Sequence, residues 1–387
     1  MFLEGIKQSD LKQDELDLME FDSEEQESSP EDSKIVNPYN PDQVDIVSNP
    51  MTISLLLDRI NNNELELNPD FQRKAGLWDD TKKSRLIESI LIKVPLPIFY
   101  FDSRDDERWT IVDGLQRITT FNDYILKNSF KLVNLEYLTD LDGVSFNDLP
   151  RSMQRRIREC IIQTYCIRKG TPDDVTISIF KRINTGGITL SLAEIRNCVF
   201  HGIAGNLIKD MASSEAFKIA TRYRISPDRM DDRDLVTRFT AFYVQGYEKY
   251  DGNMDSFLEQ GLVIIKETFS QRMADELMKV FERTMICCRE VFGDYAFRKK
   301  IQNADMVKFG PLNKSLFECV STCIGLLSED DQRKLTTNKD DFFESYKLLF
   351  DQPFYYSINS ATGSKDHVFL RHQELSKLLM TKIRSYE

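Results

Sequence analysis

The spacing of apolar residues changes near residue 204, and this change constrains the fold of the chain most strongly. Before it, stretches with helical spacing alternate with short runs rich in β-branched and aromatic residues. After it, apolar residues recur at helical spacing in long segments such as 232–250 and 273–292. The sequence therefore predicts an α+β fold, in which a mixed domain of residues 44–204 precedes an all-helical domain of residues 205–387.

The beginning of the chain differs in composition from both domains. Residues 1–34 contain twelve acidic residues and three lysines, so most of the net charge of -12 lies in this segment. Because such a segment has few apolar groups and repels itself, we expect residues 1–43 to be a disordered acidic tail and linker. A second interpretation is an acidic arm that folds over a basic surface of the same chain.

The composition argues against several classes of protein. No apolar stretch reaches the roughly 18 residues that a membrane span requires, and the first residues lack a basic region followed by an apolar core. The seven cysteines include no C-x-x-C pair, which is typical of reduced thiols in a protein core. We therefore expect a cytoplasmic protein that has no membrane partner. The three histidines are too scattered to predict a metal site.

Local signals predict several elements of the mixed domain. Thr52 precedes apolar residues with helical spacing and is a typical helix cap. The segments 97–103 and 108–113 are β-rich and are separated by the sequence RDDE, which predicts a hairpin. Ser191 and Glu194 have the spacing of a capping box at the start of a further helix.

The segment IVDGLQRITTF, residues 111–121, places polar residues between a strand pattern and a helix pattern. The predicted strand ends at Asp113, Gly114 permits a tight turn, and helical spacing begins directly afterwards. A helix that starts at a strand end presents free backbone N–H groups, which bind anions such as phosphate. Arg117 follows Asp113 by one helical turn, so its guanidinium can bind phosphate oxygens while Asp113 binds a divalent cation or orients water.

A purely structural interpretation of the same residues is also open. In it, Asp113 caps the helix and forms an ion pair with Arg117, as in many helices that bind no ligand. Further polar residues come from a predicted loop and from a helix end before a Gly-Gly pair: Gln72, Arg73, Arg182 and Asn184. Each of these signals is weak when it is taken alone.

Two clusters of basic residues are candidates for phosphate contacts with DNA, despite the acidic total. The first cluster is spread over a short predicted helix, the β-rich run after it and the next residue: Arg151, Arg155, Arg156, Arg158, Arg168 and Lys169. The second cluster comprises Arg298, Lys299 and Lys300. A solvated basic face without a ligand explains the same residues equally well.

Taken in order, the segments NPDFQR, WTIVDGLQRITTF and FKRINTGGITLSLAEIRN resemble the GmrSD-type family, the N-terminal domain of restriction systems that attack modified phage DNA. The resemblance covers roughly residues 45–205. It implies a ParB/sulfiredoxin-like fold in which a D-G-x-Q-R signature lines a nucleotide site, with NTP hydrolysis coupled to DNA restriction. In this sequence the signature falls on Asp113, Gly114, Gln116 and Arg117.

The resemblance also implies a role for each candidate residue. Asp113, Gln116 and Arg117 are expected to be catalytic, and Asp113 is expected to hold Mg²⁺ as well. The nucleotide is expected to contact a second set of residues: Gln72, Arg73, Gly114, Arg182 and Asn184. Family members commonly have a second glutamine where this chain has Leu115, a departure that weakens the positioning of the base or of water.

The expected function is therefore an NTP-binding and NTP-hydrolysing subunit of a restriction or antiphage defence system. The chain lacks the H-x-x-P pattern of the HNH nuclease that relatives often carry, so DNA cleavage is expected to need a separate nuclease subunit. Two alternatives remain open, a nucleotide-switched DNA-binding module without turnover and a non-catalytic interaction subunit. An oligomer is compatible with each of them.

Overall fold

The computed structural model describes residues 41–66, 78–183, 191–227, 229–299, 310–350 and 352–386. The described chain divides into two compact units, with the boundary between Val199 and Phe200. The first, called the front unit here, combines helices with β-strands, whereas the described residues of the second, the helical unit, form helices and no strand. This organisation confirms the predicted α+β class. The acidic segment of residues 1–34 lies outside the described residues.

The front unit is built around a five-stranded sheet with strand order β1-β7-β4-β5-β3. The strands of this unit have the following bounds: β1, Ile46–Ser48; β2, Met51–Thr52; β3, Leu65–Glu66; β4, Phe99–Asp102; β5, Trp109–Asp113; β6, Ile161–Ile162; and β7, Thr164–Ile167. Strands β4 and β5 pair in antiparallel fashion, which confirms the predicted hairpin. Strand β4 is parallel to β7, β5 is parallel to β3, and β1 is antiparallel to β7. Strands β2 and β6 form a separate antiparallel pair.

Several helices of the front unit begin at side chains that accept hydrogen bonds from their free N–H groups. Their bounds are α1, Ile53–Asn61; α2, Asp80–Leu91; α3, Leu115–Phe121; α4, Arg151–Arg158; α5, Asp173–Ile183; and α6, Leu192–Val199. The Thr52 hydroxyl accepts a hydrogen bond from the backbone N–H of Leu55, as its position predicts. At α6 the N–H of Glu194 donates to the Ser191 hydroxyl at 3.1 Å, and the N–H of Ser191 donates to the Glu194 carboxylate at 2.5 Å. The predicted capping box is therefore confirmed.

The apolar core of the front unit joins the sheet to its helices. Its fully buried members include residues of α1 to α3 and of β4: Ile53, Leu57, Ile87, Phe99, Phe101, Ile118 and Phe121. The charged residue Glu88 of α2 is also buried beside this core. Its carboxylate accepts hydrogen bonds of 2.7 to 3.0 Å from the backbone N–H groups of residues 136–138. Burial alone raises the pKa of Glu88, but these three N–H groups together bring it below its ordinary value.

The helical unit contains ten described α-helices. Their bounds are α7, Gly202–Ser213; α8, Glu215–Ala220; α9, Asp231–Gln245; α10, Met254–Thr268; α11, Gln271–Phe292; α12, Lys314–Gly325; α13, Glu329–Thr337; α14, Lys339–Lys347; α15, Gln352–Ser357; and α16, Lys365–Ser385. A fully buried ion pair joins α12 to α16, with 2.6 Å between Arg371 Nη2 and Glu318 Oε1. Arg371 also donates to the backbone carbonyls of Ser357 and Thr362. These contacts compensate the cost of burying both charges.

The environment of the cysteines agrees with their predicted role in the core. All seven are free thiols, and six of them are buried. Burial raises the pKa of Cys287 to about 12, which suppresses its reactive thiolate form. Among the residues that the structure describes, no helix is both long enough and apolar enough to cross a bilayer.

Candidate functional site

The turn between β5 and α3 contains the residues of the D-G-x-Q-R signature. Strand β5 ends at Asp113, and α3 begins at Leu115. Between them, Gly114 adopts a left-handed conformation with φ of +104°, in which side chains other than hydrogen are strained. The predicted order of strand, tight turn and helix is therefore confirmed.

A β-bulge determines the direction in which Asp113 points. Phe101 pairs with Ile111, whereas Tyr100 pairs with Asp113, so Val112 is an extra residue in β5. Without the bulge, Asp113 would share a face with Ile111, because residues two apart in a strand point the same way. The bulge moves Asp113 away from the core face of Phe101 and onto the face of its partner Tyr100.

Arg117 is directed inward and is held by several contacts. Its Nη1 group donates to the backbone carbonyl of Pro97, and Nη2 donates to the carbonyl of Ile98 at 3.2 Å and to Asp113 Oδ2 at 2.9 Å. The guanidinium carbon lies 4.2 Å from the centre of the Phe99 ring. Burial lowers the pKa of Arg117, and the Asp113 carboxylate opposes this shift. Three of the five guanidinium N–H groups are thus engaged within the protein.

Gly114 is needed for this packing. A Cβ atom at position 114 would lie 2.5 Å from Cδ1 of Phe99 and 3.4 Å from Nη2 of Arg117. The close approach for which the glycine is required is therefore made by an aromatic ring of the core. The sequence does not single out Phe99, which lies in a β-rich run together with other apolar residues.

The Asp113 carboxylate is bonded to Arg117 and is partly exposed to solvent. Its side chain is 37% exposed, whereas that of Arg117 is 9% exposed. Only Oδ2 bonds to Arg117, and no second partner for this carboxylate occurs among the described residues. The ion pair of the structural interpretation is confirmed. The prediction that Asp113 caps the helix is wrong, because Gly114 occupies the cap position and no side chain caps α3.

Gln116 contacts the end of the segment that precedes α2. Its Oε1 atom accepts a hydrogen bond of 3.2 Å from the backbone N–H of Trp78. The other predicted nucleotide contacts, Gln72, Arg73 and Asn184, lie outside the described residues. Arg182 is exposed in the last turn of α5. Their assignment to one pocket with Asp113 stays a prediction.

The first basic cluster is divided between exposed side chains and side chains with structural contacts. Arg151 and Arg155 are exposed on α4. Arg156 is exposed as well, but its Nη1 donates to the carbonyl of Leu91 at 2.9 Å. The guanidinium of Arg158 lies 5.2 Å from the centre of the Phe146 ring. Exposed arginines on one short helix are compatible with phosphate contacts, which stay a prediction.

The prediction that the second basic cluster contacts DNA is wrong for Arg298. Arg298 is 1% exposed, and its guanidinium donates to the backbone carbonyls of residues 294, 296 and 310. It cannot contact DNA phosphates from this position. Lys299 donates to Asn359 at 2.6 Å, and Lys300 lies outside the described residues. Adjacent basic residues in the sequence therefore do not form one basic surface here.

The described residues contain no group of three or more histidine, cysteine, aspartate or glutamate side chains arranged to hold a metal ion. His372 is buried between the rings of Phe242 and Tyr247, with centroid distances of 5.1 and 5.0 Å. Burial lowers the pKa of His372 to about 3, so its imidazole is neutral at physiological pH.

Comparison with known protein families finds a match for the front unit. Residues 53–201 match the family model described as the N-terminal domain of the GmrSD restriction endonuclease. The matched segment contains the turn at Asp113 and Gly114, helix α4 and the capping box of α6. No curated protein matches the chain.

Proposed function

Because residues 53–201 form a domain of the GmrSD restriction endonuclease N-terminal family, we propose that the chain is a nucleotide-binding and nucleotide-hydrolysing component of a DNA restriction or antiphage defence system. One observation carries the proposal. At the turn between β5 and α3, a half-exposed carboxylate, Asp113, is held by a buried arginine, Arg117. Carboxylates positioned in this way bind metal ions or orient water in phosphoryl transfer.

The contacts of Arg117 support a positioning role in place of the direct phosphate contact expected from the sequence. Its Nη2 group bonds to Asp113 and to the Ile98 carbonyl, so the guanidinium orients the carboxylate. In our proposal Arg117 is a positioning residue, and the phosphates bind at the turn beside Asp113 and Gly114. This assignment replaces direct binding of phosphate by Arg117.

A magnesium ion that arrives with the nucleotide fits the Asp113 carboxylate. Magnesium commonly binds one or two protein carboxylates together with substrate phosphates and retained water. Asp113 would hold the ion, which when bound would neutralise charge on the phosphates. Gln116 has a different position, since its Oε1 is bonded to the N–H of Trp78. We propose that it supports the site from this contact.

Two further parts of the proposal concern the domain and its partners. We propose a ParB/sulfiredoxin-like fold for the front unit, because its small mixed sheet leads directly from a strand into the helix of the signature. We also propose that DNA contacts the exposed arginines of α4 and that a separate nuclease subunit cuts it. The matched family is named after a restriction endonuclease, which supports the proposed DNA and nuclease partners.

The inward contacts of Arg117 favour a second candidate function. An arginine that bonds to Pro97, Ile98 and Asp113 can also stabilise the turn without any ligand. In that case the chain is an interaction subunit whose signature stabilises the turn without binding nucleotide.

Phosphate release tests the proposed function. Each of the four NTPs is supplied with Mg²⁺, with and without DNA, to the wild type and to Asp113→Asn and Arg117→Ala. The matched control is Asp106→Asn, which removes an exposed carboxylate from the loop between β4 and β5. We expect turnover in the wild type and in the control, and its loss in the other two variants.

The other outcomes of this assay separate the alternatives. Nucleotide binding without turnover in the wild type would indicate a nucleotide-switched module. The absence of both binding and turnover in a folded wild-type chain would refute the proposal and favour the interaction subunit.

A further inference from the structure

A row of aligned residues crosses the sheet beside Asp113. Asp113 of β5 pairs with Tyr100 of β4, Tyr100 pairs with Tyr165 of β7, and Tyr165 pairs with Ser48 of β1. Directly paired residues point to the same face of a sheet. The four side chains therefore form one lateral row, called the tyrosine row here, with the carboxylate at one end.

The two tyrosines of the row form a stacked pair. Their ring centres lie 5.6 Å apart, and the ring planes differ by 21°. Both residues are half-buried, whereas the next residues on the opposite face, Phe101 and Cys166, are buried in the core. The row thus presents aromatic surface on the face of the sheet turned away from this core.

The bulge at Val112 connects this aromatic surface to the signature. Without the extra residue, Asp113 would point to the core face and would not lie in one row with the two tyrosines. With it, Asp113 lies one strand from Tyr100 and two strands from Tyr165. Two strand spacings amount to roughly 10 Å, a distance that a nucleotide spans between its base and its phosphates.

We infer that the stacked pair of Tyr100 and Tyr165 binds the base of the nucleotide whose phosphates lie at Asp113 and Gly114. The inference rests on the proposed function and adds the residues that contact the base. An aromatic ring face stacks on any nucleobase, because each base presents a π-surface. The pair therefore favours nucleotides over bare phosphate chains and distinguishes little among the four bases.

The direct test compares the affinities of two probes for the wild type and for ring variants. The probes are Mg²⁺ complexes of the four NTPs and of inorganic triphosphate, which has phosphates but no base. We expect Tyr100→Leu and Tyr165→Leu each to weaken NTP binding roughly 5- to 150-fold, the range that corresponds to loss of one base–aromatic stack. Binding of inorganic triphosphate should stay unchanged.

Three kinds of control accompany this comparison. Leucine keeps apolar bulk in the sheet, so loss of binding with a preserved unfolding transition reports stacking and not packing. The phenylalanine variants Tyr100→Phe and Tyr165→Phe keep the ring and should bind as the wild type does. Tyr137→Ala removes a tyrosine that is 73% exposed in a loop of the same unit, and it should have no effect.

The outcomes separate this inference from the proposed function. Wild-type NTP affinity in both leucine variants, together with lost binding in Asp113→Asn, would overturn the stacking and leave the phosphate site intact. Failure of the wild type to bind any nucleotide would overturn both. A defect limited to a short single-stranded oligonucleotide would also overturn the inference, because it would assign the pair to DNA bases.

Discussion

Replacing Gly114 by alanine should destabilise the front unit in two ways. The backbone at this position has φ of +104°, and an alanine pays about 1–2 kcal/mol to adopt a left-handed conformation. The added Cβ would also lie 2.5 Å from the buried ring of Phe99. Overpacking of a core typically costs about 1–3 kcal/mol. We therefore expect Gly114→Ala to lower the free energy of unfolding by about 2–5 kcal/mol.

A second glycine of the same unit isolates the steric part of this effect. Gly170 has φ of +108°, and a Cβ added there would meet no atom within 4 Å. Gly170→Ala should therefore carry the backbone strain alone, about 1–2 kcal/mol. The difference between the two variants measures the contact with Phe99, and we expect it to be about 1–3 kcal/mol.

Urea unfolding followed by tryptophan fluorescence measures this difference. The chain has two tryptophans, Trp78 and Trp109, and both lie in the front unit. Their fluorescence therefore reports the unit that contains Gly114. Equal destabilisation by the two alanine variants would refute the argument that Gly114 is required by the ring of Phe99.

Three other predictions concern buried charges and thiols. Glu88→Gln should lower the free energy of unfolding by about 1–3 kcal/mol at pH 7. Because the folded-state pKa of Glu88 is lowered, this contribution to stability is lost as pH falls through that pKa. Denaturation curves at pH 7 that are the same for Glu88→Gln and the wild type would contradict the prediction. Glu318→Gln should destabilise the helical unit by about 3–5 kcal/mol, since it leaves the buried Arg371 without its carboxylate; a loss below about 1 kcal/mol in thermal unfolding monitored by circular dichroism would count against this. In maleimide labelling of the folded protein followed by mass spectrometry, the partly exposed Cys160 should react before the buried Cys287, and the reverse order would contradict the burial argument.

Local sequence patterns were sufficient for several elements of the front unit. The cap at Thr52 and the capping box of Ser191 and Glu194 each depend on residues three positions apart, so a short stretch of sequence contains the whole interaction. The hairpin of β4 and β5 also follows from two β-rich runs and the polar loop between them.

The geometry of the candidate site depends on residues that are distant in the sequence. The acceptors of Arg117 at Pro97 and Ile98 belong to a segment about 20 positions earlier, and their backbone carbonyls carry no sequence signal. The bulge at Val112 is equally hidden, because the run of apolar residues there is compatible with a regular strand. These two features explain why the inward direction of Arg117 and the tyrosine row were not predicted.

The error at Arg298 has a related cause. Three adjacent basic residues indicate a charged surface only if all of them face solvent, and a sequence does not report which backbone carbonyls surround a turn. Arg298 binds three such carbonyls in the helical unit. A buried arginine that satisfies loop carbonyls cannot be distinguished from a DNA contact by composition.

Isothermal titration calorimetry of the wild type and of two aspartate variants with Mg²⁺-bound nucleotide measures whether Asp113 forms the nucleotide site. We predict saturable binding at one site per chain for the wild type and for Asp106→Asn, and loss of that binding for a folded Asp113→Asn variant. Equal nucleotide affinity in Asp113→Asn and the wild type would contradict the claim that the carboxylate held by Arg117 forms the nucleotide site.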